Sequence, residues 1–381
     1  MTPGARLAAA IAVLDRVLAG DPTEKALTNW GRASRYAGSK DRAAVRDIVY
    51  DALRRKRSAA ARGGSLTGRG LVLGLMREAG QEELFSGEGH APAPAAAGEA
   101  GRDPEAADSL DMPDWLVPAL TASLGEKCSA VCAALRQRAP VFLRVNLAKA
   151  GPAEAMAVLA REGIETALHP LAQTAVVVTG NARKVQTSEA YLTGLVELQD
   201  AASQAVVEML DLRDGLRVLD YCAGGGGKTL AMAARARMMV FAHDAWPRRM
   251  ADLPERARRA GISVTLTDRP QTYAPFDLVL VDAPCSGSGS WRRDPEGKWA
   301  LTPERLAEVM ATQAAILEQA SGLVGETGTL AYATCSLLHA ENAGQIAAFL
   351  SGHSGWRLER ERTFLPMDGG DGFYCAILKR R

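Results

Sequence analysis

The chain has 381 residues, of which 47% are hydrophobic and 23% charged, and its formal net charge is +1. This length allows two or three domains with separate cores, and the composition is typical of a globular protein. No apolar run approaches a membrane span, and the six scattered cysteines are too sparse for a disulfide scaffold or a zinc site. The N-terminus has the pattern of an amphipathic helix and not of a signal peptide, so we expect a cytoplasmic protein with no membrane or metal partner.

Residues 1–85 are predicted to form an all-helical N-terminal domain. Ala8, Ile11 and Leu14 recur at helical spacing. Within it, residues 32–69 carry eleven Lys or Arg against three Asp or Glu. Such a stretch is typical of an RNA-binding surface, but it also suits an ordinary solvated helix face, and both interpretations stay open.

Residues 86–110 are rich in Ala, Pro, Gly and acidic residues, and we predict a mobile linker there. Residues 111–195 are predicted to form a small α/β domain, with strands at 141–147 and 174–179 and a helix at 152–162. This order of elements resembles an RNA-recognition-type fold.

Residues 196–381 alternate short apolar strands with helices, the clearest helix being 302–321. This alternation predicts an α/β, doubly wound, Rossmann-like domain with a mostly parallel sheet. A ligand of such a sheet binds at the carboxyl ends of its strands. The predicted strands are 216–221, 239–243, 262–267, 277–282, 328–333 and 372–379.

A glycine-rich turn follows the first of these strands and opens a helix. It consists of Cys222, Ala223, Gly224, Gly225, Gly226, Gly227 and Lys228. Its end resembles a phosphate-binding P-loop, but that motif needs a glycine six residues before the lysine, where Cys222 stands. A glycine turn that lets the backbone approach the methionine part of S-adenosylmethionine explains more of the sequence.

Two acidic residues support this cofactor. Asp244 ends the second strand, where dinucleotide-binding folds place the acid that contacts the ribose hydroxyls. Asp268 follows the third strand and is predicted to contact the adenine. Either aspartate alone could instead cap a helix or a turn.

Two cysteines stand at the ends of neighbouring strands. Cys285 follows Asp282-Ala283-Pro284, and Cys335 follows Thr334. A thiolate that adds to carbon 6 of a cytosine activates carbon 5 to accept a methyl group, and a base must then remove the carbon 5 proton. Asp282 is the candidate carboxyl for a hydrogen bond to the ring nitrogen. This chemistry does not decide which cysteine is the nucleophile.

Together these motifs resemble the sun-type RNA cytosine methyltransferases, the group that includes bacterial RsmB and the eukaryotic NSUN enzymes. The resemblance covers about 140–381. It rests on Asp220 to Thr229, on Asp282 to Gly287 with Trp291 to Trp299, on Thr334-Cys335-Ser336 with Glu341-Asn342, and on Gln199 to Gln204 and Arg144 to Asn146.

The resemblance implies a role for each matched residue. Cys335 is the nucleophile and Cys285 assists breakdown of the adduct, while Lys228 and Asp282 line the catalytic pocket. Asp244 and Arg249 contact the ribose end of S-adenosylmethionine, and Asp268 contacts its adenine. One departure is Gly224-Gly225 where the family usually has Ala-Pro, which implies a more flexible turn and puts the cofactor affinity in doubt.

The N-terminal helices resemble, more loosely, the NusB-like RNA-binding domain of the bacterial ribosomal RNA enzymes, through Ser39 to Arg42 and Tyr50 to Arg54. This favours ribosomal RNA of the 16S type as substrate over transfer RNA. Two alternatives of other classes are a P-loop-like nucleotide hydrolase and a non-catalytic RNA-binding factor. The sequence predicts no oligomeric state.

Overall fold

The computed structural model describes all 381 residues, and the chain divides into two compact units. The first unit comprises Met1–Arg138 with Trp291–Ala300, and the second comprises Ala139–Ser290 with Leu301–Arg381. The division near residue 138 differs from the predicted domain boundaries at 85, 110 and 195. None of the helices combines the length and the apolar character that a membrane crossing requires.

The first unit is helical, as predicted for the N-terminal region. Thr2 caps its first helix by accepting a hydrogen bond from the amide of Ala5 at 3.2 Å. Leu14, Val49 and Leu71 are fully buried in its core. Its helices are α1 (Pro3–Leu18), α2 (Thr23–Ala33), α3 (Ser39–Arg54), α4 (Lys56–Gly63), α5 (Gly68–Glu78), α6 (Ala106–Ser109), α7 (Val117–Leu124) and α8 (Cys128–Leu135).

Residues 86–110 are not the mobile linker that their composition predicts. The carboxylate of Glu99 accepts two hydrogen bonds from the guanidinium of Arg69 on α5, at 2.6 and 2.9 Å. This pairing lowers the pKa of Glu99 to about 2. Arg77 donates to the carbonyl of Glu99 at 2.6 Å, and the amide of Arg102 donates to the carbonyl of Ala61 at 2.8 Å. Arginines of the helices therefore hold a segment that has no apolar pattern of its own.

The segment Trp291–Ala300 belongs to the helical unit, although the sequence placed it in the catalytic domain. The indole of Trp299 donates to the carbonyl of Leu53 at 2.7 Å, and Nζ of Lys298 donates to the carbonyl of Arg54 at 3.1 Å. Burial of Lys298 lowers its pKa to about 8. The polar groups of this segment find their partners at the end of α3, which no local pattern could predict.

The second unit contains two sheets, of which the smaller is antiparallel with the order β2-β3-β1-β4. Leu143, Leu159 and Val176 fill the core between this sheet and a helix. This confirms the small α/β fold that was predicted. Its elements are β1 (Val141–Val145), α9 (Pro152–Arg161), β2 (Glu165–Leu168), β3 (Ala175–Gly180), α10 (Glu189–Leu192) and β4 (Val196–Leu198).

The larger sheet has seven strands in the order β10-β11-β9-β8-β5-β6-β7, with β5 to β9 parallel and the last two antiparallel. This is the predicted doubly wound, Rossmann-like architecture. The elements are α11 (Ala201–Glu208), β5 (Arg217–Asp220), α12 (Gly227–Ala233), β6 (Met239–Ala242), α13 (Leu253–Ala260), β7 (Thr265–Leu266), β8 (Phe276–Asp282), α14 (Pro295–Ala300, in the helical unit), α15 (Pro303–Ser321), β9 (Val324–Thr334), α16 (Ala343–Gly352), β10 (Trp356–Phe364) and β11 (Phe373–Arg380).

The strand order determines where a ligand can bind. From β5 the chain continues to β6 on one side, and later returns to β8 on the other side of β5. A crevice therefore opens at the carboxyl ends of β5 and β8, which is the usual ligand site of doubly wound sheets.

Two strands differ from the prediction. The strand expected at 262–267 is reduced to β7, which has two exposed residues at the edge of the sheet. Strand β10 was not predicted because its sequence, WRLERERTF, is mostly charged. It forms the opposite edge, where charged side chains face water and discourage pairing with another sheet.

Candidate active site

The glycine-rich turn connects β5 to α12, as predicted. Gly224 and Gly226 have positive φ angles of 52° and 78°. A Cβ atom at Gly226 would lie 2.2 Å from Cδ1 of Leu253, so the close approach of α13 requires glycine there. The amide of Gly224 donates to Oδ2 of Asp244 at 2.9 Å, which fixes the turn to the end of β6.

A mutation tests the requirement for glycine in this turn. Gly226→Ala should destabilise the fold by about 1–3 kcal/mol, because its Cβ clashes with Leu253 and its backbone is left-handed. Gly225→Ala is the matched control, since its backbone is not left-handed and its nearest neighbour is the flexible end of Arg256. Thermal unfolding of both variants measures the difference, and equal melting temperatures would contradict the prediction.

The turn forms one wall of a cavity of about 490 Å³, a volume within the range of small-molecule sites. Both Cys285 and Cys335 line the same cavity, together with Asp282. The other lining residues are Gln199, Ser203, Cys222, Ala223, Gly224, Gly225, Gly227, Lys228, Arg249, Ala283, Pro284 and Phe373. A glycine backbone beside a cavity of this size fits S-adenosylmethionine.

Three of the predicted cofactor residues do not line this cavity, namely Gly226, Asp244 and Asp268. Asp244 is 3% exposed and is engaged by the turn, by the amide of Trp246 at 2.8 Å, and by Arg249 at 3.4 Å. Its position therefore supports the shape of the turn directly. Asp268 is exposed just beyond β7.

The two cysteines meet because β8 and β9 are neighbouring parallel strands, with Asp282 paired to Ala333. Their Sγ atoms lie 3.3 Å apart. The hydrogen bond from Cys285 stabilises the thiolate of Cys335 and lowers its pKa, and the nearby ammonium of Lys228 acts in the same direction. The same hydrogen bond, with burial, raises the pKa of Cys285. Of the two thiols, Cys335 therefore has the greater thiolate character.

Alkylation with iodoacetamide across a pH series tests this assignment. Because its pKa is lowered, Cys335 should react with a midpoint below the ordinary thiol value of 9.0, while Cys285 should resist at the same pH. In Cys285→Ala the midpoint of Cys335 should rise, since its hydrogen-bond donor is lost. Peptide mass spectrometry gives both midpoints, and a Cys335 that titrates above 9.0 in the wild-type protein would refute the assignment.

Lys228 and Asp282 form a partly buried ion pair that lines the same cavity as the two cysteines. Nζ of Lys228 lies 2.7 Å from Oδ2 of Asp282 and 4.9 Å from the ring centre of Phe373. Burial opposes the charge of Lys228, but the carboxylate of Asp282 outweighs it and raises the lysine pKa. Lys228 therefore stays charged, and it can both stabilise a thiolate and orient the side chain of Asp282.

The structure adds supporting residues that received no site role from the sequence. The buried side chain of Arg144 donates from Nη1 to the carbonyl of Gly227 and to Oε1 of Gln199, both at 2.6 Å. Arg144 and Gln199 stand in motifs that the sequence did identify, but only the fold brings them to the glycine turn. Ser203, within the Gln199 to Gln204 motif, also lines the cavity, as does Phe373, which stands in no motif.

Two family profiles and several curated relatives match this chain. The profile of the 16S rRNA methyltransferase RsmB/F family matches residues 207–379, and that of the RsmF/B-like ferredoxin-like domain matches residues 112–186. The ribosomal RNA small subunit methyltransferase B of Klebsiella pneumoniae is 35% identical over 288 residues, which cover 71% of this chain and 66% of the relative. Its counterpart in Photorhabdus laumondii is 32% identical over 285 residues, with 71% and 66% coverage.

Solved structures share the fold. The crystal structure of PH0851 matches with a TM-score of 0.78 at 23% identity, over 100% of this chain and 99% of that chain. A methyltransferase homolog protein from Pyrococcus horikoshii matches with a TM-score of 0.63 at 23% identity, over 71% of this chain and 96% of that one. The matched sequence profiles, the curated relatives and the cysteine-lined cavity lead to one conclusion: the chain belongs to the RsmB/F family of S-adenosylmethionine-dependent methyltransferases.

Proposed function

We propose that this protein methylates carbon 5 of a cytosine in 16S ribosomal RNA through a covalent adduct with Cys335. The observation that carries the proposal is the 3.3 Å approach of Cys285 and Cys335 at a cavity that also contains the glycine turn. A direct methyl transfer to a nitrogen or oxygen atom requires no thiol. Two thiols of opposite pKa shift suit a reaction that must both form and break a carbon–sulfur bond.

Three side chains act on the cytosine ring in the proposed reaction, namely those of Cys335, Asp282 and Lys228. The thiolate of Cys335 adds to carbon 6 of the cytosine, and the electron pair of the ring double bond moves towards carbon 5. Nitrogen 3 takes a proton from water as negative charge develops on the ring. The carboxylate of Asp282, which Lys228 holds in place, accepts a hydrogen bond from this N–H and so stabilises the adduct. S-adenosylmethionine, when bound, supplies an electrophilic methyl group.

Cys285 then completes the cycle. A base must take the proton of carbon 5, so that its electrons restore the double bond and expel the sulfur of Cys335. The thiol of Cys285 loses its thiolate neighbour once Cys335 is bonded to carbon. The first cause of its raised pKa is thereby removed, so Cys285 can release its own proton to water and then, as a thiolate, accept the proton of carbon 5.

The glycine turn and the acids near it are the proposed cofactor site. Ala223, Gly224, Gly225, Gly227 and Lys228 line the cavity, and Arg249 reaches it from the segment after β6. Asp244 and Asp268 remain proposed contacts for the ribose and the adenine. The carboxylate of Asp244 already accepts two backbone hydrogen bonds, so we propose that it also holds the glycine turn in shape.

Ribosomal RNA is preferred over transfer RNA because the curated relatives are named ribosomal RNA small subunit methyltransferases. Within the basic stretch 32–69 many arginines pair with carboxylates, for example Arg46 with Glu24 and Arg69 with Glu99. The exposed side chains of Arg32, Arg35 and Lys40 carry charge that an RNA backbone requires, and we propose a NusB-like RNA-binding role for this region. We place the enzyme in the cytoplasm, where this substrate is made. The family membership removes the support for a nucleotide hydrolase.

The test is methylation of defined RNA with isotopically labelled S-adenosylmethionine. Wild-type protein should label unmethylated 16S ribosomal RNA, and nucleoside mass spectrometry should find the label in 5-methylcytidine. Transfer RNA serves as the competing substrate. Label in any other nucleoside would refute methylation at carbon 5 of cytosine. Label confined to transfer RNA would refute the proposal that 16S ribosomal RNA is the substrate.

A further inference from the structure

Glu341 is a completely buried acidic residue that the chemistry described above does not use. It ends a short 3-10 turn between β9 and α16, and none of its surface is exposed. It does not line the catalytic cavity, so it cannot contact a substrate there. A buried carboxylate is costly unless several donors satisfy it, so its partners indicate what it stabilises.

One set of partners comes from the loop of Cys285. The backbone amide of Ser286, the next residue, donates to Oε1 of Glu341 at 2.7 Å. The hydroxyl of Ser286 donates to Oε2. Gln313 of α15 donates from Nε2 both to Oε1, at 3.0 Å, and to the carbonyl of Pro284, at 2.9 Å. The residues on both sides of Cys285 are therefore held by Glu341 and its partner.

The second set comes from the loop of Cys335. The hydroxyl of Ser336, which follows this cysteine, donates to Oε2 of Glu341. Asn342, the neighbour of Glu341, donates from Nδ2 to the carbonyl of Ser336 at 2.9 Å. The same carboxylate thus accepts hydrogen bonds from the residue that follows each cysteine.

We propose that Glu341 is a positioning residue that fixes the distance between the sulfur atoms of Cys285 and Cys335 by tying together the two loops that carry them. The inference rests on the proposed function, which gives that distance its importance. The pairs of the parallel ladder end at Asp282 and Ala333, before either cysteine. Beyond them, the amide of Gly289 donates to the carbonyl of Cys335 at 2.9 Å, and Ser288 bonds to the loop of Cys335. Charge-assisted hydrogen bonds to Glu341 add a link at the residue directly after each cysteine.

The charge of Glu341 matters as well as its shape. Oε1 of Glu341 accepts from the amide of Ser286 and from Gln313, and Oε2 accepts from the hydroxyls of Ser286 and Ser336. A glutamine has one oxygen and one NH2 group, so it cannot accept at both positions. Glu341→Gln keeps the volume of the side chain and removes only this double acceptance. It therefore separates the proposed role from simple packing, which Glu341→Ala would also disturb.

The first measurement is the rate at which Cys285 and Cys335 form a disulfide with diamide, and it does not depend on methylation. Diamide takes the two thiol hydrogens onto its nitrogen atoms and becomes a hydrazine, while the S–S bond forms. In Glu341→Gln this rate should fall by about 10-fold or more, because the sulfurs no longer stay within contact. Mass spectrometry of unreduced peptides gives the rate.

The second measurement is the kinetics of methyl transfer. A misplacement of about 1 Å can cost on the order of 100-fold in rate, so kcat of Glu341→Gln should fall by roughly that factor. The KM for S-adenosylmethionine should stay within about three-fold, because Glu341 is not part of the cofactor cavity. Loss of folded protein would also lower the apparent kcat at constant KM. The rate is therefore divided by the concentration of folded protein, and a fall in kcat that remains after this normalisation supports the positioning role.

Gln345→Ala is the matched control. Gln345 is a buried neighbour on α16 that donates to the carbonyl of Met310 at 2.9 Å and contacts neither cysteine loop. Its loss should leave the disulfide rate and kcat close to wild type. If Glu341→Gln does not fold, Ser286→Ala and Ser336→Ala each remove one of the two hydroxyl links and should slow disulfide formation in the same way.

The outcomes distinguish the two proposals. A folded Glu341→Gln with wild-type disulfide rate and kcat would overturn the positioning role and leave the proposed function intact. Suppose instead that Glu341→Gln forms the disulfide more slowly, but the wild-type protein does not methylate cytosine. This result would overturn the proposed function and support the positioning role of Glu341.

Discussion

Replacement of Cys335 by alanine should lower methyl transfer by at least about 1,000-fold, because the variant has no sulfur to activate carbon 5 of the base. Cys335→Ser should be almost as inactive, since a hydroxyl in place of the thiol keeps its shape but does not ionise near neutral pH. The binding of S-adenosylmethionine should change little, as the glycine turn is untouched. Rates with labelled cofactor and calorimetric affinities measure the two effects separately.

Cys128→Ala is a suitable control for this experiment. Cys128 is a buried thiol on α8 of the helical unit, outside the catalytic cavity. Its loss should leave the methylation rate within about two-fold of wild type, since it removes only a small buried group. Full activity in Cys335→Ala would remove the proposed covalent mechanism altogether.

Replacement of Cys285 by alanine should give the opposite kind of defect. Cys335 can still add to carbon 6 and the methyl group can still be transferred, but no group is left to assist removal of the carbon 5 proton. The enzyme should therefore stay attached to its RNA, and turnover should fall by about 100- to 10,000-fold, the usual contribution of general acid–base catalysis. Denaturing electrophoresis should show a protein–RNA band that requires S-adenosylmethionine.

The double variant Cys285→Ala/Cys335→Ala tests the origin of that band. With both sulfurs absent, the covalent complex should disappear. A band that persisted would locate the covalent bond at another residue. A Cys285→Ala enzyme with normal turnover and no complex would show that Cys285 does not serve as the base.

The opposite pKa shifts of Cys285 and Cys335 explain why their loss should give different defects. Cys285 is protonated while it donates to the Cys335 thiolate, and the formation of the adduct ends that hydrogen bond. The proton thus stays on Cys285 during attack. Cys285 can give this proton to water, and then serve as the base, only after the adduct has formed. Activity should rise with pH as Cys335 ionises, with a midpoint below 9.0.

Much of the architecture was predictable from local patterns. Helix α15 follows from its apolar period and from Thr302 and Pro303, which define its start. The core strands β5, β8 and β9 follow from short apolar runs with few charges. The edge strand β10 and the ordered segment 86–110 were not predictable in this way, because their order depends on partners elsewhere in the chain rather than on their own hydrophobicity.

The sequence by itself determined which residues were candidates for the proposed chemistry, since Cys285, Cys335, Asp282 and the glycine turn are recognisable from residue types and spacing alone. Only the tertiary structure decided that the two sulfurs touch, which thiol has the lowered pKa, and that Glu341 holds both loops. The physical reason is that motifs depend on neighbours along the chain. Distances and electrostatic shifts instead depend on strand order and register, which bring together side chains 50 residues apart.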